Sequence, residues 1–415
     1  MGKFGRGQLA EGVKLCYRRI MTDPIKSLPL SGIRIIELAR VLAGPWAGQM
    51  LADLGADVIK IEHAEGDETR AWGPPFIKGA DGIDLSSAYY HSTNRGKRSI
   101  IVDLTTTEGQ QTIHQLAGNA DVLIENFKVG GLQKYGLDAA SLIALNPRLI
   151  VCSITGFGQD GPYADRAGYD FIIQGMSGFM ALTGEPKGEP VKAGVAFADV
   201  FTGVHSVVAI QAALIEHART GMGQHIDMAL FDVQSAVLAN QNMNYLATGN
   251  NPKRVGNAHT NIAPYGVFEV SDGHVILAIG NDSQFRKLCA LLGHDDWASE
   301  EQFRDNASRL ANTIELSKRI TYETRNHTRI GLMALCDAAG VPAGPINQIS
   351  DMFADPQIQH RQLRADSTDD LGNSVPGVRT PIIMDGRKMV SGKPSPRLGE
   401  HTEAILSELA AKEKA

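Results

Sequence analysis

The sequence predicts an α/β fold: a Rossmann-like large domain on a mainly parallel sheet, with a smaller α+β domain. Three observations carry that expectation. Short β-branched apolar runs alternate with helically spaced segments from residue 33 to residue 154, the pattern of βαβ units. The stretch APYGVFEVSDGHVILAIG (263–280) reads instead as a hairpin turning at Ser-Asp-Gly. With 415 residues, 43% of them hydrophobic, the chain exceeds what one core ordinarily organises.

The elements follow in order. IRIIEL (33–38) is a first strand. AGPWAGQMLADLGA (43–56) has helical spacing, with Pro45 in the first turn, where its missing N–H does no harm, and Gly55 near the end. DVIKIE (57–62), SIIVDL (99–104), DVLIENF (121–127) and RLIVCSI (148–154) are further strands, with helices near Gly109–Leu116 and Ala139–Leu145. From Gly168 the texture changes. YDFIIQGMSGFMAL predicts one helix, apolar on nearly all sides, with Gly175 and Gly178 allowing close packing. A long helix spans 199–221, with Asp199 placed to cap it, Arg219 in its last turn and Gly221 to stop it. QHIDMALFDV turns from strand into helix, and VPAGPINQISDMFADPQI begins the return of the chain. The division is an N-terminal arm at 1–27, a large domain at 28–229, a small α+β domain at 230–330, and a return linker with the rest of the large domain at 331–415.

Composition excludes several classes. The formal charge is -6 and no basic block interrupts the body of the chain, which argues against nucleic acid as a partner. No apolar run approaches the roughly 20 residues that span a bilayer. Cys16, Cys152, Cys289 and Cys336 are scattered singly, as buried free thiols in a reducing cytoplasm would be. The basic first 20 residues lack an apolar h-region. Either the chain starts naturally at Met21 or these residues form a loose arm, for which organelle targeting is one reading. The histidines form no HxH or HExxH pattern, so no metal is expected, and His205, His217 and His225 read as helix-surface or strand residues.

Several loops carry chemistry. RVLAGPWAG (40–48) puts small residues and backbone N–H groups at a helix N-terminus, where an anion fits, although a plain strand-to-helix connection has the same pattern. It is not GxGxxG, which argues against a nicotinamide cofactor even though Glu62 stands where a ribose-binding acid would. In NRGKRS (94–99), Asn94, Arg95, Lys97 and Arg98 either hold a phosphorylated ligand or are a solvated charge run. Asn126 and Phe127 close a strand at the sheet edge where α/β proteins bind ligands. The carboxylate candidates for acid–base or nucleophilic work are Asp170, Glu185, Glu189 and Asp199.

The ordered set LSGIRIIELARVLAGPWAGQMLADLGADVIKIE, GDETRAWGPP, NRGKRSIIVDL, DVLIENF, NPRLIVCSITGFGQDGPYADRAGYD, TGEP.G.P, TGMGQHIDMALFD and RLGEHT resembles the family III CoA-transferases over residues 28–405. That family also holds carnitine-type CoA-transferases and α-methylacyl-CoA racemases. RVLAGPWA, AWGPPF and VGNAHTNIAPYGVF look closest to the branch that moves CoA between succinate- and glutarate-type diacids. The resemblance implies a ring-shaped subunit in an interlocked homodimer, a CoA thioester as substrate, and no permanently bound cofactor. It places Arg40, Val41, Leu42 and Ala43 along the pantetheine end, Asn126 and Phe127 at the adenosine side with Lys134 in place of a family arginine, and Trp72 at the acyl pocket. His63 and Thr105 stand where family cations occur, shifting phosphate binding toward Asn94, Arg95 and Lys97.

One departure concerns chemistry. The resemblance implies that in TGEPKGEP (183–190) Lys187 stands where many members carry a nucleophilic aspartate. An amine there would form a stable amide and end turnover. Glu189 first and Glu185 second are the expected substitutes; Asp170 or Asp199 is an alternative. In a third scheme the acceptor acid attacks directly while Lys187 binds its distal carboxylate. Arg40, Arg70 and Arg166 are further candidates for that second carboxylate. A racemase would need a histidine before NPRLI, and none is there. A CoA-binding protein without catalysis is the reading from a different class.

Overall fold

The computed structural model describes residues 27–413. The expected arm, and Cys16 within it, lies outside the described residues except for Ser27. The chain divides into two compact units: unit 1 holds the residues up to Ser177, Gly194–Val237 and everything from Gln359 onward, and unit 2 holds Gly178–Ala193 and Leu238–Ile358. The expected small domain, 230–330, therefore lacks two segments that unit 2 includes, 178–193 and 331–358.

In unit 1, β1 (Arg34–Glu37), α1 (Ala43–Asp53), β2 (Asp57–Glu62), the hairpin β3 (Phe76–Lys78) and β4 (Asp84–Ser87), α2 (Ala88–His91), β5 (Arg98–Ile101), α3 (Thr107–Gly118), β6 (Val122–Glu125), α4 (Ala139–Leu145) and β7 (Ile150–Thr155) follow in turn. After α5 (Asp170–Met176) the chain leaves for unit 2 through α6 (Phe179–Leu182) and returns with α7 (Phe197–Thr220), β8 (His225–Ala229) and α8 (Leu230–Ala236). Six strands form one parallel sheet in the order β5-β2-β1-β6-β7-β8. Successive strand residues serve opposite faces. Ile35 packs with Ala47, Leu51 and Ile210 on one side, and Ile36 with Ile113, Leu116 and Ile405 on the other.

Close backbone approaches fix the layer beside the candidate site. A side chain at Gly44 would meet Ala39, and one at Gly203 would lie 2.7 Å from the Ala43 carbonyl, so α7 crosses α1 at a distance only glycine allows. The helix α7 is also long and apolar enough to cross a membrane by length and composition alone. That corrects the sequence count of apolar runs. Its charged residues sit near the two ends and leave the middle apolar. In unit 1 it buries one face, Thr202, Gly203, Ser206, Val207, Ile210 and Ala213, against the core.

The expected single helix over 169–182 is two. Gly178 takes φ +89, a left-handed conformation that ends α5 and restarts the chain as α6. In unit 2 the predicted hairpin is present as β9 (Tyr265–Val270) and β10 (Gly273–Ala278), and β11 (Ala343–Pro345) joins β10 antiparallel. These strands pack with Phe285, Trp297, Phe303 and Cys336 in a core of their own. Cys152, Cys289 and Cys336 are buried free thiols.

Candidate active site

The strand β1 pairs with β2 on one side and β6 on the other, so the sheet order reverses there and the C-terminal ends of β1 and β6 flank a crevice. The loops from these two strands are tied together. Arg40 N–H donates to Asn126 Oδ1 (2.9 Å), and Asn126 Nδ2 donates to the Arg40 carbonyl (2.8 Å). Val41 stands at φ +70. Helix α1 then begins with Leu42 as its N-cap and no side-chain cap, leaving its first N–H groups for an incoming acceptor. The Arg40 guanidinium lies 5.8 Å from the Phe127 ring centre and pairs with Glu68 at 2.6 Å. The structure thus brings Arg40, Val41, Leu42, Ala43, Asn126 and Phe127 to one edge. Lys134 lies in the following short turn, its ammonium 4.6 Å from the Tyr135 ring.

The NRGKRS cluster is different, and here the expectation is corrected. Asn94, Arg95 and Lys97 are buried. Arg95 donates to both oxygens of Asp53 (3.1 and 2.6 Å) and to the Val378 carbonyl. Lys97 Nζ lies 2.8 Å from the Glu37 carboxylate and donates to the Pro45 carbonyl and to Asn94 Oδ1 (2.9 Å each). Burial pushes the Lys97 ammonium down to about 8, against the pull of Glu37. These cations are consumed by buried partners, which makes them internal scaffold with no free valence for a phosphate. Arg70 is likewise taken: it forks onto Glu62 (2.8 and 2.7 Å) and donates to the Tyr90 hydroxyl, which removes it as a binder of a second substrate carboxylate. Glu62, engaged by Arg70 and Ser99, serves the same network.

Near the sheet edge Trp72 is half exposed and meets Tyr89 edge-on at 5.3 Å. Burial raises the Tyr89 hydroxyl to about 12, with the carboxylates of Asp199 and Asp170 adding to it. Asp170, rather than Asp199, caps α7: its Oδ1 accepts from Ala198 N–H (2.8 Å) and Asp199 N–H (3.3 Å), and its Oδ2 from Gln174 (2.7 Å). Asp199 lies in the first turn, where burial and then the neighbouring Asp170 carboxylate push it up to about 7.

In unit 2 the loop 183–191 closes on itself. Val191 N–H donates to the Thr183 carbonyl (3.2 Å) and Gly188 N–H to that of Glu185 (3.0 Å). Arg254 pins it from outside, donating to the Gly188 (2.8 Å) and Glu185 (3.3 Å) carbonyls, and Gly256 N–H donates to the Gly184 carbonyl (3.2 Å). Gly256 has φ +60, and a Cβ there would lie 3.3 Å from a Glu185 carboxylate oxygen. The side chains of Glu185, Lys187 and Glu189 project from this fixed backbone into solvent. The sequence reading missed Tyr89, Arg254 and Asp67. Asp67 lies within GDETR and Arg254 directly precedes VGNAH, whereas Tyr89 falls outside every quoted motif.

In unit 1 the sheet's switch point carries an uncapped helix start, an amide and an aromatic, an edge where α/β proteins bind ligands; in unit 2 the 183–191 loop holds its carboxylates on a pinned backbone. The family model described as CoA-transferase family III matches residues 30–402. The chain is 62% identical over 396 residues to a succinate--glutarate CoA-transferase of Agrobacterium fabrum, covering 95% of this chain and 99% of that one. It is 40% identical over 409 residues to the human succinyl-CoA:glutarate CoA-transferase, covering 98% and 91%. A crystal structure of a CAIB/BAIF family protein from Brucella suis superposes with a TM-score of 0.83 at 58% identity, covering 92% of this chain and all of that one. The chain belongs to CoA-transferase family III and is an enzyme of that class.

Proposed function

We propose that the enzyme moves CoA from succinyl-CoA to a short dicarboxylic acid, with glutarate as the first acceptor to test. Similarity to two glutarate-named relatives at 62% and 40% identity supports this reading most strongly. The 40–43 loop, with Asn126, Phe127 and Lys134, holds the CoA, and Trp72 borders the acyl group. Among the carboxylates, Asp170 is engaged by Ala198, Asp199 and Gln174 and Asp199 holds its proton up to about 7, whereas Glu185 and Glu189 are exposed on the 183–191 loop. Glu189 is then the nucleophile, with Glu185 next in line.

The steps balance. The Glu189 carboxylate attacks the thioester carbonyl and expels CoA thiolate, leaving a mixed anhydride. The thiolate attacks the glutamyl carbonyl, releasing succinate and forming a glutamyl-CoA thioester. The acceptor carboxylate then repeats the sequence in reverse. Lys187 stands two residues from Glu189 and pairs with the acceptor's distal carboxylate, which suits a diacid. Arg166, stacked 4.5 Å from Tyr163, is the remaining arginine of the three expected, since Arg40 holds Glu68 and Arg70 holds Glu62.

The enzyme works as an interlocked homodimer of ring-shaped subunits in a reducing cytoplasm. Exposed apolar side chains on α7 (Val208, Ile215) and at Tyr169 and Phe171 support the first point, and three buried free thiols the second. A second reading, proton exchange at the α-carbon of an acyl-CoA, is favoured only by the high Asp199 affinity for a proton. Purified protein is incubated with succinyl-CoA and a mixture of mono- and dicarboxylic acids, and new CoA esters are followed by mass spectrometry. Glutaryl-CoA supports the proposal. Incorporation of deuterium from heavy water, with no new ester, supports the second reading instead.

A further inference from the structure

Val41 is a β-branched residue held at φ +70, where L side chains are strained. Something must hold it there. Its N–H donates to Asp67 Oδ2 (3.2 Å), 26 residues on and beyond α1 and β2. Asp67 is almost fully buried, and every other bond it makes fixes its orientation. Oδ1 accepts from Thr69 N–H (3.0 Å) and the Thr69 hydroxyl (2.7 Å), Oδ2 lies 2.9 Å from Lys60 Nζ, and its own N–H donates to Glu62 (3.0 Å). Lys60 is itself anchored beneath the same loop, on the Ala39 carbonyl (3.0 Å) and Glu37 (3.3 Å). Burial opposes the Asp67 charge, yet Lys60 and Thr69 outweigh it and hold the carboxyl well below the usual carboxylate range.

We propose that Asp67 is a positioning residue. Its buried carboxylate holds Val41 in the left-handed conformation and so sets the 40–43 loop, with the open start of α1, to receive the acyl-CoA. This rests on the reading that the loop lines the CoA thioester. Asp67 touches no substrate; it acts through Val41, with Lys60 and Glu37 as the foundation beneath it. The fixed charge explains why two lysines and two acids are buried behind a loop that itself carries no ionised group except the outward-facing Arg40.

The test is a double-mutant cycle of Asp67→Asn with Val41→Gly, read by KM for each substrate, kcat, and calorimetric binding of free CoA. In the wild-type background, Asp67→Asn raises the KM for acyl-CoA and the Kd for CoA about tenfold, the scale of one strained residue released, while the KM for the acceptor acid stays put. Glycine at 41 adopts the conformation without strain, so in the Val41→Gly background the same change has little effect. Should Asp67→Asn fail to fold, Asp67→Glu keeps a charge for Lys60 while displacing the acceptor from Val41, and the same KM pattern is expected. An equal effect of the Asp67 change in both backgrounds, or equal changes in both KM values, overturns the proposal. Wild-type protein that neither binds CoA nor transfers it would instead overturn the functional reading beneath it.

Discussion

The chain carries two polar clusters that look alike in sequence and differ in every physical respect. NRGKRS with its acidic partners is buried, each charge matched: Arg95 on Asp53, Lys97 on Glu37. TGEPKGEP lies in solvent on a backbone fixed by Arg254 and Gly256, with three ionisable side chains that meet no partner among the described residues. In the first, the charges are the scaffold and the backbone follows. In the second, the backbone is the scaffold and the charges are free to react. A buried charge has spent its interaction energy on folding, and only the exposed set retains any for a substrate.

Four predictions sharpen or break that contrast. The largest effect belongs to the exposed loop. Glu189→Gln lowers kcat by at least about a thousandfold with native stability, measured by initial rates beside a thermal melt. An equal loss from Glu185→Gln alone moves the nucleophile four residues earlier without disturbing the contrast.

Next comes the scaffold. Lys97→Ala takes from the buried Glu37 its nearer partner, leaving only Lys60 at 3.3 Å, and lowers unfolding free energy by about 3 kcal/mol in urea titration. Lys134→Ala does the reverse, weakening CoA binding with no change in stability.

Third is a pH effect. In the folded protein Asp199 holds its proton up to about 7, above the range of an unfolded carboxylate. Its contribution is therefore fully present below that ordinary range and is lost as pH rises toward about 7. Asp199→Asn should flatten the decline between about pH 4 and 7, a gain on the order of 2–3 kcal/mol at pH 7 after allowing for partial solvation. Urea midpoints across pH read this directly, and an unchanged slope would remove Asp199 from the account.

The smallest effect is at Lys187. Lys187→Ala raises the KM for a diacid about tenfold and leaves a monoacid unaffected, since one exposed charge pair is lost.

The parallel sheet was legible because strand periodicity is local: β1, β2 and β6 fall within their predicted runs, and β7 overruns its own by Thr155 alone. The hairpin at 265–278 was equally legible from its turn. β11 was not, because Ala-Gly-Pro carries no strand pattern and is recruited only by pairing with β10. The α7 cap escaped notice for a similar reason. Asp199 is the right residue type near the right place, yet Asp170, 28 residues upstream of Ala198, supplies the bond. The burial of Arg95 and Lys97 also depends on distant partners, Asp53 and Glu37, that no spacing rule connects. Loop positions 40–43 and 126–127 were found because ligand sites in parallel sheets sit at strand ends; what holds Val41 there was not, since a left-handed valine leaves no mark in sequence.

The central claim is that the reacting carboxylate is on the exposed, pinned loop. The most direct measurement mixes the enzyme with succinyl-CoA alone, reduces any glutamyl thioester to the alcohol with borohydride, and maps the digest by mass spectrometry. The account predicts a single modified residue, Glu189, within the 183–191 peptide. Modification of Asp170 or Asp199, or no modification in an enzyme that is exchanging CoA, would contradict it.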